Sequence, residues 1–403
     1  MRKKLFGMII FVLILLYFIQ IYFMGLMNEK IVTQILNEKR FFQVQNINYQ
    51  KGFFNSHLEF DIFLKQEEFD FLSPNLENYP LHMKLEISHN IFSKNTFLGV
   101  LENTSKDFEA ILEDNIIAKI NAKFFPFMKN DILISLPSID FSDDMAVLKL
   151  DKMDIVINLD ETKIYTLGLK INKLQFSSNQ DDIILTDLSY DEKFKEGIEI
   201  NNFGKDLKFG NSSLSLKQIQ IQKSKIEDLL ISFSSSKNDI SAPTFDLNLD
   251  LKIKSLILKN DIFPMFEGNF QNIFLNLEID KISKKAYEDF IMQKTMDIKV
   301  LIREFLSFNP FVKLNNFSFS KNENKFISKA DAKLSLDGYK VNVHAQSDVG
   351  VGEFFPILNL TEGFFIEKDG KFYLDLKANT MIRGEESMEL NGKSYALEGL
   401  VID

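Results

Sequence analysis

Two hydrophobic periods divide this chain. Residues 5–27, LFGMIIFVLILLYFIQIYFMGLM, are apolar throughout apart from Gln20. From Val44 onward apolar and polar residues alternate with a period of two, the pattern of strands buried on one face. The alternation is clearest where Phe245, Leu247, Leu249, Leu251 and Ile253 interleave with Asp246, Asn248, Asp250 and Lys252. Met83, Leu85 and Ile87 repeat it, as do Met153, Ile155, Ile157 and Leu159, and Leu374, Leu376 and Ala378. Leu167, Leu169, Ile171 and Leu174, and Leu214, Leu216, Ile219 and Ile221, repeat it with a slip that reads as a β-bulge. Turn residues fall between the runs, among them Asn322-Glu323-Asn324 and Lys368-Asp369-Gly370-Lys371, the second predicting a tight hairpin. One stretch, 283–309, has a helical period instead, with Ser283 as its N-cap and Asn309-Pro310 as its stop.

At ~1.5 Å per residue the apolar run reaches roughly 34 Å, enough to cross a hydrocarbon core of about 30 Å. Arg2, Lys3 and Lys4 precede it and no comparable basic cluster follows, so the N-terminus is expected in the cytoplasm and the rest exported, as a single-pass protein of the inner membrane. No small-residue cleavage site follows the run, which favours an anchor over a cleaved signal. The expected order is a tail at 1–4, a transmembrane helix at 5–27, a juxtamembrane helix at 28–42, a β region at 43–282, an amphipathic helix at 283–309 and a C-terminal β region at 310–403. The fold class is mainly β: an elongated antiparallel sheet, open as a groove or closed as a sandwich, with one late helix.

Composition narrows the function without naming it. The 403-residue chain carries a net charge of −10, and the exported part is more negative still without the three leading cations, which argues against nucleic acid as a partner. Cysteine is absent, removing disulfides and thiolate chemistry and suiting an oxidising compartment. The 41 phenylalanines accompany abundant lysine and arginine at positions 2, 40, 303 and 383 alone, a bias that an AT-rich coding sequence produces. No metalloprotease, nucleophile-elbow or dinucleotide fingerprint occurs. His82 and His89, seven apart, fall on opposite strand faces about 23 Å from each other and cannot share a metal. Paired acids such as Asp143-Asp144 and Asp181-Asp182 lack a calcium-loop spacing and read as turn residues. No residue is assigned a catalytic, cofactor or metal role.

The stretch Tyr49-Gln50-Lys51-Gly52-Phe53-Phe54-Asn55-Ser56 resembles the Y-x-R/K-G-W/F-F-x-S signature of the YdgA-like family, bacterial envelope proteins of unknown function with an N-terminal anchor. Tyr49, Lys51, Gly52, Phe53, Phe54 and Ser56 all fit, and locally they read as a strand, a turn or bulge at Gly52, and a second strand through Leu58, Phe60 and Ile62. His89-Asn90-Ile91-Phe92 falls where the family carries His-Gly-Pro-Phe, with Asn-Ile replacing Gly-Pro. Phe209 to Leu216 looks like the family's central strand entry. The resemblance implies address and architecture, and no activity.

A sheet with one apolar face must cover it. A helix roughly 34 Å long and about 10 Å across covers two strand spacings of ~4.8 Å, so the rest of the face needs another cover. It is expected either to hold phospholipid or another envelope component in a groove lined by Phe245, Leu247, Leu249, Leu251 and Ile253, or to close against a facing sheet. The groove is similar in architecture alone to the AsmA-like lipid-handling proteins. The closed form implies a scaffold that binds envelope proteins or a second copy of itself.

Overall fold

The structure is a computed structural model describing residues 42–64, 80–89, 95–104, 115–124, 129–142, 146–160, 163–178, 182–199, 209–237, 242–259, 267–291, 297–380 and 387–396. The expected membrane span and the helical continuation from residue 28 lie outside these residues. Among the described residues no helix is long and apolar enough to cross a membrane. The chain divides into two compact units, Met1–Leu174 with Gly197–Asn201, and Gln175–Glu196 with Asn202–Asp403. Mainly β structure, all of it antiparallel in the pairings described, fills both.

In the first unit β1 (Phe42–Gln50), β2 (Asn55–Leu64), β3 (Leu81–Ser88), β4 (Asn95–Asn103), β5 (Ile116–Phe124) and β6 (Lys129–Leu136) pair in succession. The chain then forms a hairpin, β7 (Ile139–Ser142) with β8 (Ala146–Leu150), and returns as β9 (Met153–Asp160) between β6 and β10 (Lys163–Ser178). Leu58, Phe60, Met83, Ile87, Phe97 and Ala122 bury one face of this sheet, and Tyr49 packs against them.

The second unit is a longer meander. β11 (Asp182–Glu199), β12 (Gly210–Ile221), β13 (Ser224–Ser236), β14 (Thr244–Leu258) and β15 (Gly268–Ser283) each pair with the next. After two helices, β16 (Phe311–Lys321), β17 (Asn324–Ser335) and β18 (Gly338–Ser347) continue the order. Two 3₁₀ segments, Val351–Glu353 and Pro356–Phe364, separate β18 from its hairpin partners β19 (Ile366–Lys368) and β20 (Lys371–Asn379), and β21 (Ser387–Leu390) and β22 (Lys393–Ala396) close the series. The Asp369-Gly370 and Asn322-Glu323 turns have positive φ at both central residues, the twist that two-residue hairpins require.

The slip between Leu214 and Ile221 is one point on a line that crosses five strands. Apolar positions change parity between Leu185 and Leu188 on β11, Leu216 and Ile219 on β12, Ile226 and Leu229 on β13, Ile253 and Leu256 on β14, and Phe270 and Ile273 on β15. At that level Asp187, Lys217, Asp228, Lys254 and Asn272 interrupt regular pairing while the register on either side is kept. Asp187, Asp228 and Asn272 take φ near +50°, a conformation Asp and Asn tolerate better than other branched or bulky residues. Lys217 and Lys254 reach the two aspartates at 3.6 and 3.3 Å. Each strand thereby reverses its pleat once, and the apolar side chains stay on one face: Leu256, Leu258, Ile273 and Phe317 pack in one cluster.

The single helix expected over 283–309 is corrected to two, α1 (Lys284–Ile291) and α2 (Ile298–Leu306). Ser283 does cap the first, accepting from Ala286 N at 3.2 Å. Asp297 starts the second: its backbone is extended and its carboxylate accepts from Lys299 N and Val300 N, so a strong capping residue inside the apolar period begins a new helix. Ser283 also donates to Glu304, and Lys285 pairs with Glu304 at 3.5 Å, tying the two helices together.

The crease predicts an asymmetric response at Asn272, which is exposed. Asn272→Val puts a β-branched residue in the left-handed region and is expected to lower stability by ~1–2 kcal/mol, whereas Asn272→Gly should stay within ~0.5 kcal/mol. The midpoint of urea unfolding of each variant checks this.

Candidate functional site

Antiparallel pairing places directly opposed residues on one face, so the register defines the apolar surface of the second unit. Through Leu249 it runs Phe233, Leu249, Leu277, Leu314, Ala330, Val343 and Leu376 on successive strands. The neighbouring level carries Leu214, Ile231, Leu251, Leu275 and Phe317. Every one of these side chains is half-buried. The five residues expected to line a groove are brought onto this face but not into one environment. Leu247, Leu249, Leu251 and Ile253 are half-buried with it, whereas Phe245 is 2% exposed and enclosed.

Aromatic clusters close the two ends. Phe245 meets Phe209 and Tyr287 of α1 edge to face, with ring centroids 5.9 and 5.4 Å away. At the other end Phe270, Phe319 and Phe354 are buried, Phe355 stacks on Phe270 at 4.9 Å, and Lys321 Nζ donates to Phe354 O at 2.7 Å while lying over the Phe270 ring. Such ring pairs add about 0.5–1.5 kcal/mol each beyond area burial. The seven residues between Leu247 and Ile253 span ~20 Å at ~3.3 Å per residue.

At the β11 margin the alternation is broken by one charge. Leu188, Tyr190 and Phe194 occupy the apolar phase, and Glu192 stands among them, opposite Ser212, which is in turn opposite Phe233. Burial first, and the Glu192 carboxylate second, push the Tyr190 phenol up to about 12, with Ser212 acting in the opposite sense. The sequence held a signal for this trio, a carboxylate where the period calls for an apolar side chain, but the apolar residues on either side of it mask the exception.

On the opposite face, Asp191, Lys193, Ser213, Ser232, Asn248 and Asp250 border an open cleft of about 620 Å³. Asn276 spans Asn248 and Asp250 at 3.2 and 2.7 Å, and Asn315 donates to Asn276 at 2.6 Å, so amide groups there satisfy one another. A further apolar surface lies on the helices, where Phe290 and Ile298 are 65% and 69% exposed beside Val300 and Ile302.

The signature residues form the tip of the β1–β2 hairpin. Tyr49 opposes Leu58, Gln50 opposes His57, and 51–54 make the connection. Below it lies a pairing not expected from either motif alone: Ser56 Oγ sits 2.9 Å from His89 Nε2, and the His89 backbone N–H donates to Phe54 O at 2.7 Å. Gly52 N–H donates to the same Ser56 Oγ at 3.3 Å. Ser56 is fully buried and His89 is 5% exposed, so the pair straps the loop to the end of β3 from inside. Above it Phe53 and Phe54 stand exposed, edge to face at 5.1 Å. Gly52 does not have a positive φ; a Cβ there would lie 1.9 Å from Asn55 O, so close approach of backbone demands glycine.

The other histidines are dispersed. His82 pairs with Asp61 at 2.7 Å, and hydrogen bonds from Asn46 and His82 hold that carboxylate below its usual range. His344 pairs with Asp375, and His57 is exposed. Among the described residues no three His, Asp or Glu side chains converge as they would around a metal ion.

A family model described as a bacterial protein of unknown function, DUF945, matches residues 1–349, and the chain belongs to that family. No match was found among curated proteins or among solved structures.

Two outcomes test the strap. Gly52→Ala is expected to cost ~1–3 kcal/mol, read as the shift in the unfolding midpoint, because the added carbon collides with backbone. Burial, reinforced by Lys51, holds the His89 ring below its usual range, so the folded state prefers it neutral. The unfolded chain takes up this proton more readily below pH ~6.5, so the strap's contribution is complete above that value and declines as pH falls. Melting temperature should drop between pH 7 and 5, and the difference between wild type and His89→Gln should carry that part of the slope.

Proposed function

We propose that this DUF945 protein is a membrane-anchored envelope protein of the YdgA-like type that holds lipid on the apolar face of its second unit. The observation that carries the reading is the half-buried state of Leu247, Leu249, Leu251 and Ile253 and of Phe233, Ile231, Ile279, Leu277, Leu275 and Ile273 opposite them. A finished core would bury them fully, as Leu58 and Ile87 are buried in the first unit. Their remaining exposed area is a standing source of affinity for hydrocarbon, at ~0.8 kcal/mol per methylene removed from water.

Dimensions support the same occupant. The ~20 Å spanned by Leu247 to Ile253 exceeds the ~15 Å depth of one leaflet's hydrocarbon, so an extended acyl chain fits along the strands. The expected anchor at 5–27, with the bulk of the chain in the periplasm, would keep the face beside a supply of lipid. A second reading, a scaffold for envelope proteins, draws on Phe290, Ile298, Val300 and Ile302, whose exposure on the helices suits a protein contact.

Leu249→Asp tests the first reading against a control on the opposite face, Asn248→Asp. Lipid extracted from the purified full-length protein is expected to fall at least about tenfold for Leu249→Asp, the equivalent of one lost apolar contact and one buried charge, and to be unchanged for Asn248→Asp. Equal lipid in both variants, or protein purified free of lipid with a defined oligomeric mass, would favour the scaffold.

A further inference from the structure

We propose that α1 and α2 form a docking surface for a bilayer carrying anionic phospholipid, seating the second unit on the membrane by the helix end of its apolar face. The inference rests on the membrane-anchored part of the reading above and not on lipid held by the sheet. Its basis is what the two helices expose. Among the described residues of Lys284–Ile291 and Ile298–Leu306, every exposed side chain is either apolar, as Phe290, Ile298, Val300 and Ile302 are, or cationic, as Lys285, Lys299 and Arg303 are. Tyr287 of α1 meets Phe245, which sets the pair at one end of the apolar sheet face.

The acids of the pair are engaged or turned inward. Asp297 caps α2 through Lys299 N and Val300 N, Glu304 is held by Ser283 and Lys285, and Glu288 and Asp289 are half-buried. On β15, the strand both helices contact, exposed Asp280 and Lys281 are neutral in sum. Among the described residues Lys299 and Arg303 have no acidic partner. They lie one turn apart, beside Ile298 and Ile302, which are also one turn apart. Aliphatic side chains with cations along their edge are how a helix lies at a lipid–water boundary: the apolar groups sink below the phosphates and the cations meet them. A protein partner suits the set less, because lysine is depleted from protein interfaces. The β17–β18 turn repeats the composition at the same end. Leu334 N donates to Pro310 O just beyond α2, and there Leu336 is exposed with Lys333 and Lys340 exposed near it, beside Asp337. Those two lysines stand directly opposite each other, a repulsion that an anionic surface relieves. A chain of net charge −10 is otherwise repelled by such a surface, so this end fixes how it approaches.

The chain has no tryptophan, so Ile298→Trp supplies a sole reporter. The full-length protein is reconstituted with vesicles of phosphatidylethanolamine and phosphatidylglycerol whose acyl chains are brominated. Emission of Ile298→Trp is expected to fall by about half or more, because an interfacial helix sinks its apolar face ~5–10 Å into the boundary. Emission of Lys329→Trp, at an exposed position of β17, should be unchanged. Should Ile298→Trp disturb the helix, Phe290→Trp, which keeps an aromatic ring, reads the same quenching. Lys299→Gln with Arg303→Gln, or phosphatidylcholine in place of phosphatidylglycerol, should lower the ratio of docked to undocked protein by about thirtyfold. Quenching that neither change reduces overturns the anionic surface. Leu249→Asp in the reporter protein should leave the quenching intact; its loss would place the brominated lipid on the sheet and overturn bilayer docking. Protein that floats with the vesicles while its tryptophan stays unquenched overturns docking and leaves the anchor standing, and shielding of that tryptophan from iodide would then assign the surface to a protein contact. Protein that does not float with the vesicles overturns both. Full quenching in protein that purifies free of lipid upholds docking and removes the lipid-holding reading alone.

Discussion

The second unit depends on keeping its apolar side chains on one side of the sheet through a line where the pleat reverses. Strands of 12 to 18 residues, such as β12 and β11, twist continuously, and a strict period of two over that length would commit them to one uninterrupted pleat. Asp187, Asp228 and Asn272, each in the left-handed region, flip the chain once, and the hydrophobic pattern of every crossing strand shifts by one residue at the same level. A slip in any single strand would expose its leucines to water and bury its lysines. The ion pairs Lys217–Asp187 and Lys254–Asp228 lie along this line and are exposed, so they add little energy; their geometry suits alignment of the crease.

That constraint leaves the apolar face in an intermediate state. Full burial of a leucine or phenylalanine contributes about 1.5–3 kcal/mol, and the aromatic clusters at the two ends realise it for Phe245, Phe270, Phe319 and Phe354. Between the ends Leu216 and Leu229 are buried, whereas Leu247, Leu249, Leu251 and Ile253 stop short of full burial. On the proposed lipid reading, closed ends with a half-buried middle let the sheet be stable before anything binds and still gain when hydrocarbon does.

The first unit solves a different problem. Its sheet buries a conventional core, and the hairpin at its start is held by a serine and a histidine that sit 33 residues apart in sequence. Because the ring is enclosed, its neutral state is part of the fold, and the loop above it can present Phe53 and Phe54 without itself being loose.

The period of two marked the strands and their inward residues, because a half-buried antiparallel strand can be built in no other pattern, and the turn chemistry of Asp369-Gly370 and Asn322-Glu323 located hairpins for an equally local reason. The signature 49–56 correctly marked a hairpin, and its glycine proved necessary through contact with Asn55 O, a distance no local pattern encodes. One helix became two because capping by Asp297 competes with the apolar period, and only the backbone shows which won. The union of Ser56 with His89, the alignment of five slips into one crease, and the arrival of Glu192 on the apolar face are all cross-strand facts. Register and tertiary packing decide those, since they set which distant residues share a face, whereas the sequence by itself determines only which way each residue points along its own strand.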